Sequence, residues 1–181
     1  MDTKRLVRIS KYLSKHLRHE PERLGLRLEP GGWVQVDDLL AACAADHFSI
    51  TRDELIEVVQ QNDKQRFSFD PSKTRIRANQ GHSTPVDLQL EPVPPPDILY
   101  HGTPAGSVDV ILREGLKKMA RHDVHLSATP AIAETVGKRR GRPVVLIVDA
   151  AAMSRDGLVF YCSANGVWLT DHVPPKYLRR L

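Results

Sequence analysis

Leu6, Ile9, Leu13 and Leu17 recur at the spacing of one helical face, with Lys4, Arg8, Lys11 and Lys15 turned elsewhere. The pattern predicts a helix over Thr3–Arg18 that Pro21 stops. Gly31-Gly32 reads as a turn into a short strand over residues 33–36, after which Asp37 is a good N-cap for a helix over residues 38–45. Thr51 with Glu54 three positions later fits a capping box, so a third helix is expected over Arg52–Gln61 with Leu55, Ile56, Val58 and Val59 inward. Alternation in Arg66-Phe67-Ser68-Phe69 and Thr74-Arg75-Ile76-Arg77, around the turn Asp70-Pro71-Ser72, predicts a hairpin. Helix, strand, helix, helix, hairpin is the order of a winged-helix domain.

From residue 79 to 96 the periodicity disappears into Gln, Ser, Thr and five prolines, which reads as a semi-rigid extended linker. Gly81-His82-Ser83 inside it reads as solvated, as polar triplets in linkers commonly are, with a functional corner as the alternative. The division expected is residues 1–80, a Pro-rich linker over 81–97, and residues 98–181. Residues 98–103 form an apolar run that ends in Tyr100, His101, Gly102 and Thr103. That is how a strand delivers polar groups to a pocket, with a glycine that lets another molecule approach the backbone. A plain strand end and turn would carry the same pattern.

A helix is then expected over residues 107–119, with Val108, Ile111, Leu112 and Leu116 on one side. Val124-His125-Leu126-Ser127 reads as a strand, and Thr129-Pro130 as the N-cap and first position of a helix over residues 131–138. Residues 143–148 are the clearest buried strand. A helical turn at 150–153 and strands at 158–161 and 166–170 close the pattern. Short strands among short helices place the chain in the α+β class.

Composition narrows the function classes. The chain has 181 residues with 41% hydrophobic content, enough for one medium domain or two small ones. No apolar run approaches the roughly 20 residues of a membrane helix, and the first eight residues are charged with no apolar signal core after them, so a cytoplasmic protein without membrane partners is expected. Two distant cysteines, Cys43 and Cys162, argue against a disulfide framework or zinc cluster. The net charge of +4 is spread evenly: 14 basic and 12 acidic residues to position 80, 12 and 10 beyond it. If nucleic acid is a partner, a few placed arginines must do the binding.

No nucleophile elbow, P-loop or dinucleotide glycine motif is present. His16 with His19, and His122 with His125, have no carboxylate or cysteine set around them, so no metal is expected. Arg18, Arg66 and Arg121 each have an ordinary explanation, as helix C-terminal or surface cations.

Six motifs taken together say more. Leu17-Arg18-His19-Glu20-Pro21, Asp63-Lys64-Gln65-Arg66-Phe67, Gln80-Gly81-His82-Ser83, Leu99-Tyr100-His101-Gly102-Thr103, Arg121-His122-Asp123-Val124-His125-Leu126-Ser127 and Asn165-Gly166-Val167-Trp168-Leu169-Thr170 occur in this order along nearly the whole chain. In this the sequence resembles the NAD-dependent RNA 2′-phosphotransferases. The resemblance implies an N-terminal winged-helix-like RNA lobe and a C-terminal lobe with an ADP-ribosyltransferase-like fold. It implies NAD as co-substrate, no metal, and as partner an RNA with an internal 2′-phosphate of the kind left by tRNA splicing; a monomer is expected.

The family's catalytic set falls on Arg18, His19, Arg66 and Arg121. By this resemblance Arg18, His19 and Arg66 hold the RNA phosphate, and Arg121 orients the phosphorylated ribose and stabilises the second transition state. Arginine suits the task because its planar fork is always charged and binds phosphate oxygens in pairs. His101, Gly102, Thr103, His125 and Ser127 fall on the dinucleotide-binding positions. The strand Gly166-Val167-Trp168-Leu169 lacks the carboxylate that many protein-modifying ADP-ribosyltransferases carry at their third signature position, which weighs against protein modification. Two alternatives stand beside this one: an enzyme that ADP-ribosylates a terminal nucleic-acid phosphate and stops there, and a winged-helix nucleic-acid-binding protein without turnover.

Overall fold

The computed structural model describes residues 2–62, 64–138 and 141–181 of the chain. Met1 of the expected charged start and Asp63 of the second motif lie outside the described residues. The chain folds into two compact units, Met1–Gln89 and Leu90–Leu181, both mixing helices with small sheets, so the protein is α+β.

The first unit begins with α1 (Thr3–Arg18), followed by β1 (Trp33–Gln35), α2 (Val36–Ala45), α3 (Arg52–Gln61), β2 (Phe67–Phe69) and β3 (Arg75–Ala78). The order is the expected one. β3 lies between β1 and β2, antiparallel to both. The inward stripe of α1 is real: Ile9, Leu13 and Leu17 have no solvent exposure. They meet Leu39 and Cys43 of α2, Leu55 and Val58 of α3, and Val34, Phe67 and Ile76 of the sheet. Each such side chain contributes about 1.5–3 kcal/mol by leaving water.

Two local features set the helix starts. Thr51 accepts from the Glu54 N–H at 3.2 Å, and the Glu54 carboxylate accepts from the Thr51 N–H at 3.0 Å, completing the capping box. Asp37 is not an N-cap. The helix starts one residue before it, because Val36 keeps its N–H bonded to the Thr74 carbonyl and buries its side chain, which leaves Asp37 in the first turn, paired with Arg52.

The second unit contains β4 (Ile98–Pro104), α4 (Val108–Glu114), β5 (Leu116–Lys117), β6 (Val124–Leu126), α5 (Pro130–Gly137), β7 (Pro143–Asp149), α6 (Ala150–Arg155), β8 (Tyr161–Cys162), β9 (Trp168–Thr170), β10 (His172–Val173) and β11 (Leu178–Arg180). One sheet has the order β11-β7-β4 and a second β6-β9-β8, while β5 pairs with β10. All the pairings are antiparallel.

The helix expected over residues 107–119 ends at Glu114. Gly115 turns the chain with φ +84°, and a Cβ there would sit 2.3 Å from the Val173 carbonyl oxygen. Leu116, which fits the helical face on paper, is buried as a strand residue instead. Of residues 158–161 only Tyr161 is in a strand, while the N–H of Val93 bonds the Phe160 carbonyl at 2.9 Å.

Residues 79–97 contain no helix or strand, yet both halves are bonded down. Ser83 and Thr84 donate their N–H groups to the Arg18 carbonyl, and Gly31 donates to the Asp87 carbonyl. In the second unit Pro92 bridges to Tyr161, and Ala151 donates to the Asp97 carbonyl. The solvated reading of Gly81-His82-Ser83 does not hold: His82 is only 2% exposed.

The tightest packing lies between β4 and α5. A Cβ on Gly102 would fall 1.7 Å from the Ala133 carbonyl oxygen and 2.9 Å from the Gly137 nitrogen. The close backbone approach that Gly102 permits is therefore that of the chain's own helix. Gly102→Ala should cost at least ~3 kcal/mol, because the clash is with backbone and no rotamer relieves it. Thr51→Ala should cost only about 1 kcal/mol through the lost cap. Urea unfolding followed by circular dichroism gives both values, and equal losses would contradict the packing account.

Candidate functional site

In the first unit the site is built where α1 runs out of hydrogen-bond partners. Arg18 is the last residue of α1 and His19 its C-cap, so the Arg18 carbonyl has no intrahelical donor. The N–H groups of Ser83 and Thr84 supply donors at 2.9 and 3.2 Å. The Ser83 hydroxyl is also 2.8 Å from His19 Nδ1, which fixes the imidazole of an exposed residue. Lys15, His16 and Arg18 occupy the last turn, where the helix dipole favours positive charge.

Arg66, just before β2, is aimed by Asn62. Its Nη1 donates to Asn62 Oδ1 at 3.1 Å, and the same oxygen accepts from the Lys64 N–H at 3.1 Å. Asn62 is 4% exposed and donates through Nδ2 to the buried Ser10 hydroxyl of α1 at 3.0 Å. The Arg66 carbonyl in turn accepts from the Asn79 N–H at 2.9 Å, and Asn79 Nδ2 donates to the Gln65 carbonyl. Arg18 and His19, and the distant Arg66, are thus all tied to residues 79–84.

In the second unit β4 and β6 carry the polar groups. Tyr100 and Ser127 exchange N–H···O bonds at 2.9 and 2.8 Å, an isolated bridge that joins the two three-stranded sheets. That bridge sets His101 beside His125. His101 Nδ1 lies 3.1 Å from the His125 carbonyl oxygen, which can only accept, so Nδ1 carries the proton and Nε2 presents a lone pair. Arg121 Nη1 lies 3.2 Å from His125 Nδ1. A guanidinium only donates, so His125 Nδ1 is the acceptor and its Nε2 carries the proton. Burial, and next the Arg121 charge, hold the His101 pKa below its ordinary value, while the bond to the His125 carbonyl acts the other way. His101 Nε2 is thus an acceptor and His125 Nε2 a donor.

Thr103, two residues along β4, is 4% exposed, and Gly102 lies against α5. The turn between β8 and β9 is held by the Ser163 hydroxyl, which reaches Asn165 Oδ1 at 2.7 Å and the Val167 carbonyl at 3.1 Å. No carboxylate stands between residues 163 and 170. Among the described residues no cluster of His, Cys, Asp and Glu is arranged to hold a metal ion, and no helix is long and apolar enough to cross a membrane.

Sequence reading missed Asn62 and Asn79. Asn62 stands at the end of an amphipathic helix, where asparagine is an ordinary cap. Its position one residue before the second motif was the available signal.

A family model described as RNA 2′-phosphotransferase, Tpt1/KptA family, matches residues 4–172. The chain is 62% identical over 181 residues to a protein of Nostoc punctiforme named "Probable RNA 2′-phosphotransferase", with 100% of both chains covered. Proteins of the same name from Streptomyces coelicolor and Herpetosiphon aurantiacus are 60% identical over 179 residues and 59% identical over 178. The alignments cover 99% and 98% of this chain, and 97% and 98% of those proteins. Both kinds of match take in all six motifs and nearly every residue of both units, so the chain belongs to the RNA 2′-phosphotransferase family of the Tpt1/KptA type.

Proposed function

We propose that the protein transfers an internal RNA 2′-phosphate to NAD in two steps. A 2′-phosphate oxygen attacks C1″ of the nicotinamide ribose and nicotinamide leaves, giving 2′-phospho-ADP-ribosylated RNA. The ribose O2″ then attacks that phosphorus and the RNA O2′ leaves. The products are nicotinamide, RNA with a free 2′-OH, and ADP-ribose 1″,2″-cyclic phosphate.

The observation that carries this reading, beside family membership, is the convergence of Arg18, His19 and Arg66 on residues 79–84. Residues 79–84 bond the backbone carbonyls of Arg18 and Arg66 and the imidazole of His19, and two arginines with an imidazole are donors that suit a dianion. Asn62 fixes the Arg66 fork before substrate arrives, so little orientational entropy is lost on binding. His19, its Nδ1 bonded to the Ser83 hydroxyl, contacts the phosphate and delivers a proton to the departing RNA O2′.

The second unit's groups suit a dinucleotide. Ribose hydroxyls both donate and accept, and His101 Nε2 with His125 Nε2–H offers the matching pair. Thr103 and Ser127 add hydroxyl groups, and Gly102 keeps β4 seated under α5. Arg121 is the cation of this unit that orients the phosphorylated ribose and stabilises the second transition state. The absence of a carboxylate at residues 166–169 leaves O2″ free to act as nucleophile. The expected setting is a cytoplasmic monomer acting on spliced tRNA or a similarly modified RNA.

Incubating the protein with NAD and an oligonucleotide bearing one internal 2′-phosphate, then weighing the products, tests the reaction. Cyclic phosphate and free 2′-OH RNA are expected; a 2′-phosphate stable to long incubation would refute it. Arg66→Ala and Arg121→Ala should slow turnover roughly a hundred- to a thousand-fold and let ADP-ribosylated RNA accumulate. Wild-type turnover in both would remove the assigned roles.

The state of His101 has a pH signature of its own. Its pKa is lowered on folding, so the unfolded chain takes up the proton first as pH falls. The stabilisation is complete above the ordinary histidine value of about 6.5 and is lost as pH falls from there toward the folded value. His101→Asn keeps a donor for the His125 carbonyl and does not titrate. Urea unfolding from about pH 7.5 down to about 5.5 should therefore lose less stability in this variant than in wild type; parallel curves would mean that His101 is not held neutral.

A further inference from the structure

The even charge balance of the first unit hides a concentration of charge on one helix. Six of the sixteen residues of α1 are Lys or Arg and none is Asp or Glu. Arg5 is committed to the fold: its guanidinium bonds both Glu54 carboxylate oxygens, at 3.0 and 3.1 Å, and the Ser49 carbonyl. The other five are Lys4, Arg8, Lys11, Lys15 and Arg18. Their spacings of four, three, four and three are the repeat that holds side chains on a single stripe of a helix. Lys4, Arg8, Lys11 and Lys15 are all exposed. At 1.5 Å per residue the stripe runs about 21 Å along the helix and ends at Arg18.

Part of this charge is already met within the protein. Lys15 Nζ lies 3.4 Å from the Glu20 carboxylate, which is shared with Arg23 at 3.0 Å. The Arg8 guanidinium lies 5.8 Å from the centre of the Phe48 ring, a contact that leaves its charge in place. Holding five like charges in a row on one helix costs stability through their mutual repulsion. A partner with regularly spaced negative charge turns that repulsion into attraction, and a polynucleotide backbone has that form.

We propose that the exposed stripe of α1 is a track for the RNA strand. Backbone phosphates flanking the reactive nucleotide lie along Lys4, Arg8, Lys11 and Lys15, and the strand brings its 2′-phosphate to Arg18 at the end of the helix. The place of Arg18 rests on the function proposed above; the track itself rests on the charge pattern of α1. Long, exposed side chains suit this role because their charge follows a phosphate backbone of any sequence. Contacts of this kind position the RNA and carry no sequence preference.

The test is RNA binding by fluorescence anisotropy across a salt series, with an unmodified RNA oligonucleotide and no NAD. In the double variant Lys4→Gln, Lys11→Gln affinity should fall about tenfold, and the slope of log affinity against log salt should shrink by about 1.4, two single-strand phosphate contacts. Lys4→Arg with Lys11→Arg should bind as wild type does. Arg27→Gln with Lys73→Gln removes the same charge from exposed positions elsewhere in the first unit and should change neither quantity. An unchanged slope in the α1 double variant, or an equal loss in the Arg27 and Lys73 control, would overturn the track. Because this measurement needs no turnover, it is independent of the phosphotransferase reading. With an active enzyme, the α1 double variant should raise KM about tenfold for a long 2′-phosphorylated RNA and leave kcat unchanged. A 2′-phosphorylated dinucleotide, too short to extend from Arg18 to Lys11 and Lys4, should show no difference, and an equal KM rise for both substrates would refute the proposal.

Discussion

Two backbone hydrogen bonds between Tyr100 and Ser127 hold the second unit's polar groups in their relation to one another. β4 belongs to one sheet and β6 to another, and this exchange is a backbone pairing that sets their register. With it, His101 faces the His125 carbonyl, and the chain that leads into β6 brings Arg121 to the same ring. The bonds themselves contribute only about 1 kcal/mol each to stability. Their larger effect is geometric, because a slip of one residue would turn every side chain of β6 to the opposite face. Gly102 protects the same arrangement from behind, since α5 reaches the strand only where a side chain is missing.

The first unit solves a different problem by similar means. A helix that ends in the open leaves carbonyl groups without donors. Here the donors come from residues 83 and 84, well past β3, so closing the helix end also brings the third motif onto the first. The second motif joins through Asn79, which bonds the backbone on both sides of residue 66. One strap thus answers a structural need of α1 and gathers its charged end with Arg66. In this respect Ser83 and Asn79 are as much part of the candidate site as the residues they hold.

How much of this was legible in the sequence depended on the range of the forces involved. Thr3–Arg18 and Arg52–Gln61 were found with their observed limits, because apolar spacing and a capping box are local signals. The helix expected to reach residue 119 failed at Gly115, where the deciding contact is with Val173, a residue no local pattern could supply. Asp37 failed as a cap because the preceding residue was already held by Thr74. The strands at 172–173 and 178–180 are too short to show alternation. The charged and imidazole residues of the site were visible as motifs. Asn62 and Asn79 were not, and Ser83 stood in a motif without its part being evident, since all three act through hydrogen bonds that depend on tertiary structure.

The contact between Arg121 and His125 bears on how substitutions here are to be interpreted. A guanidinium fixes the proton on the far nitrogen of its neighbour's ring, and its charge also depresses the basicity of His101. Removing Arg121 therefore does more than delete a cation. It takes away the donor that His125 Nδ1 accepts from and makes His101 easier to protonate, so the hydrogen-bond pattern changes along with the charge. Energies measured at these three positions belong to a coupled unit and will not add. The arginine acts on hydrogen-bond polarity as well as on charge.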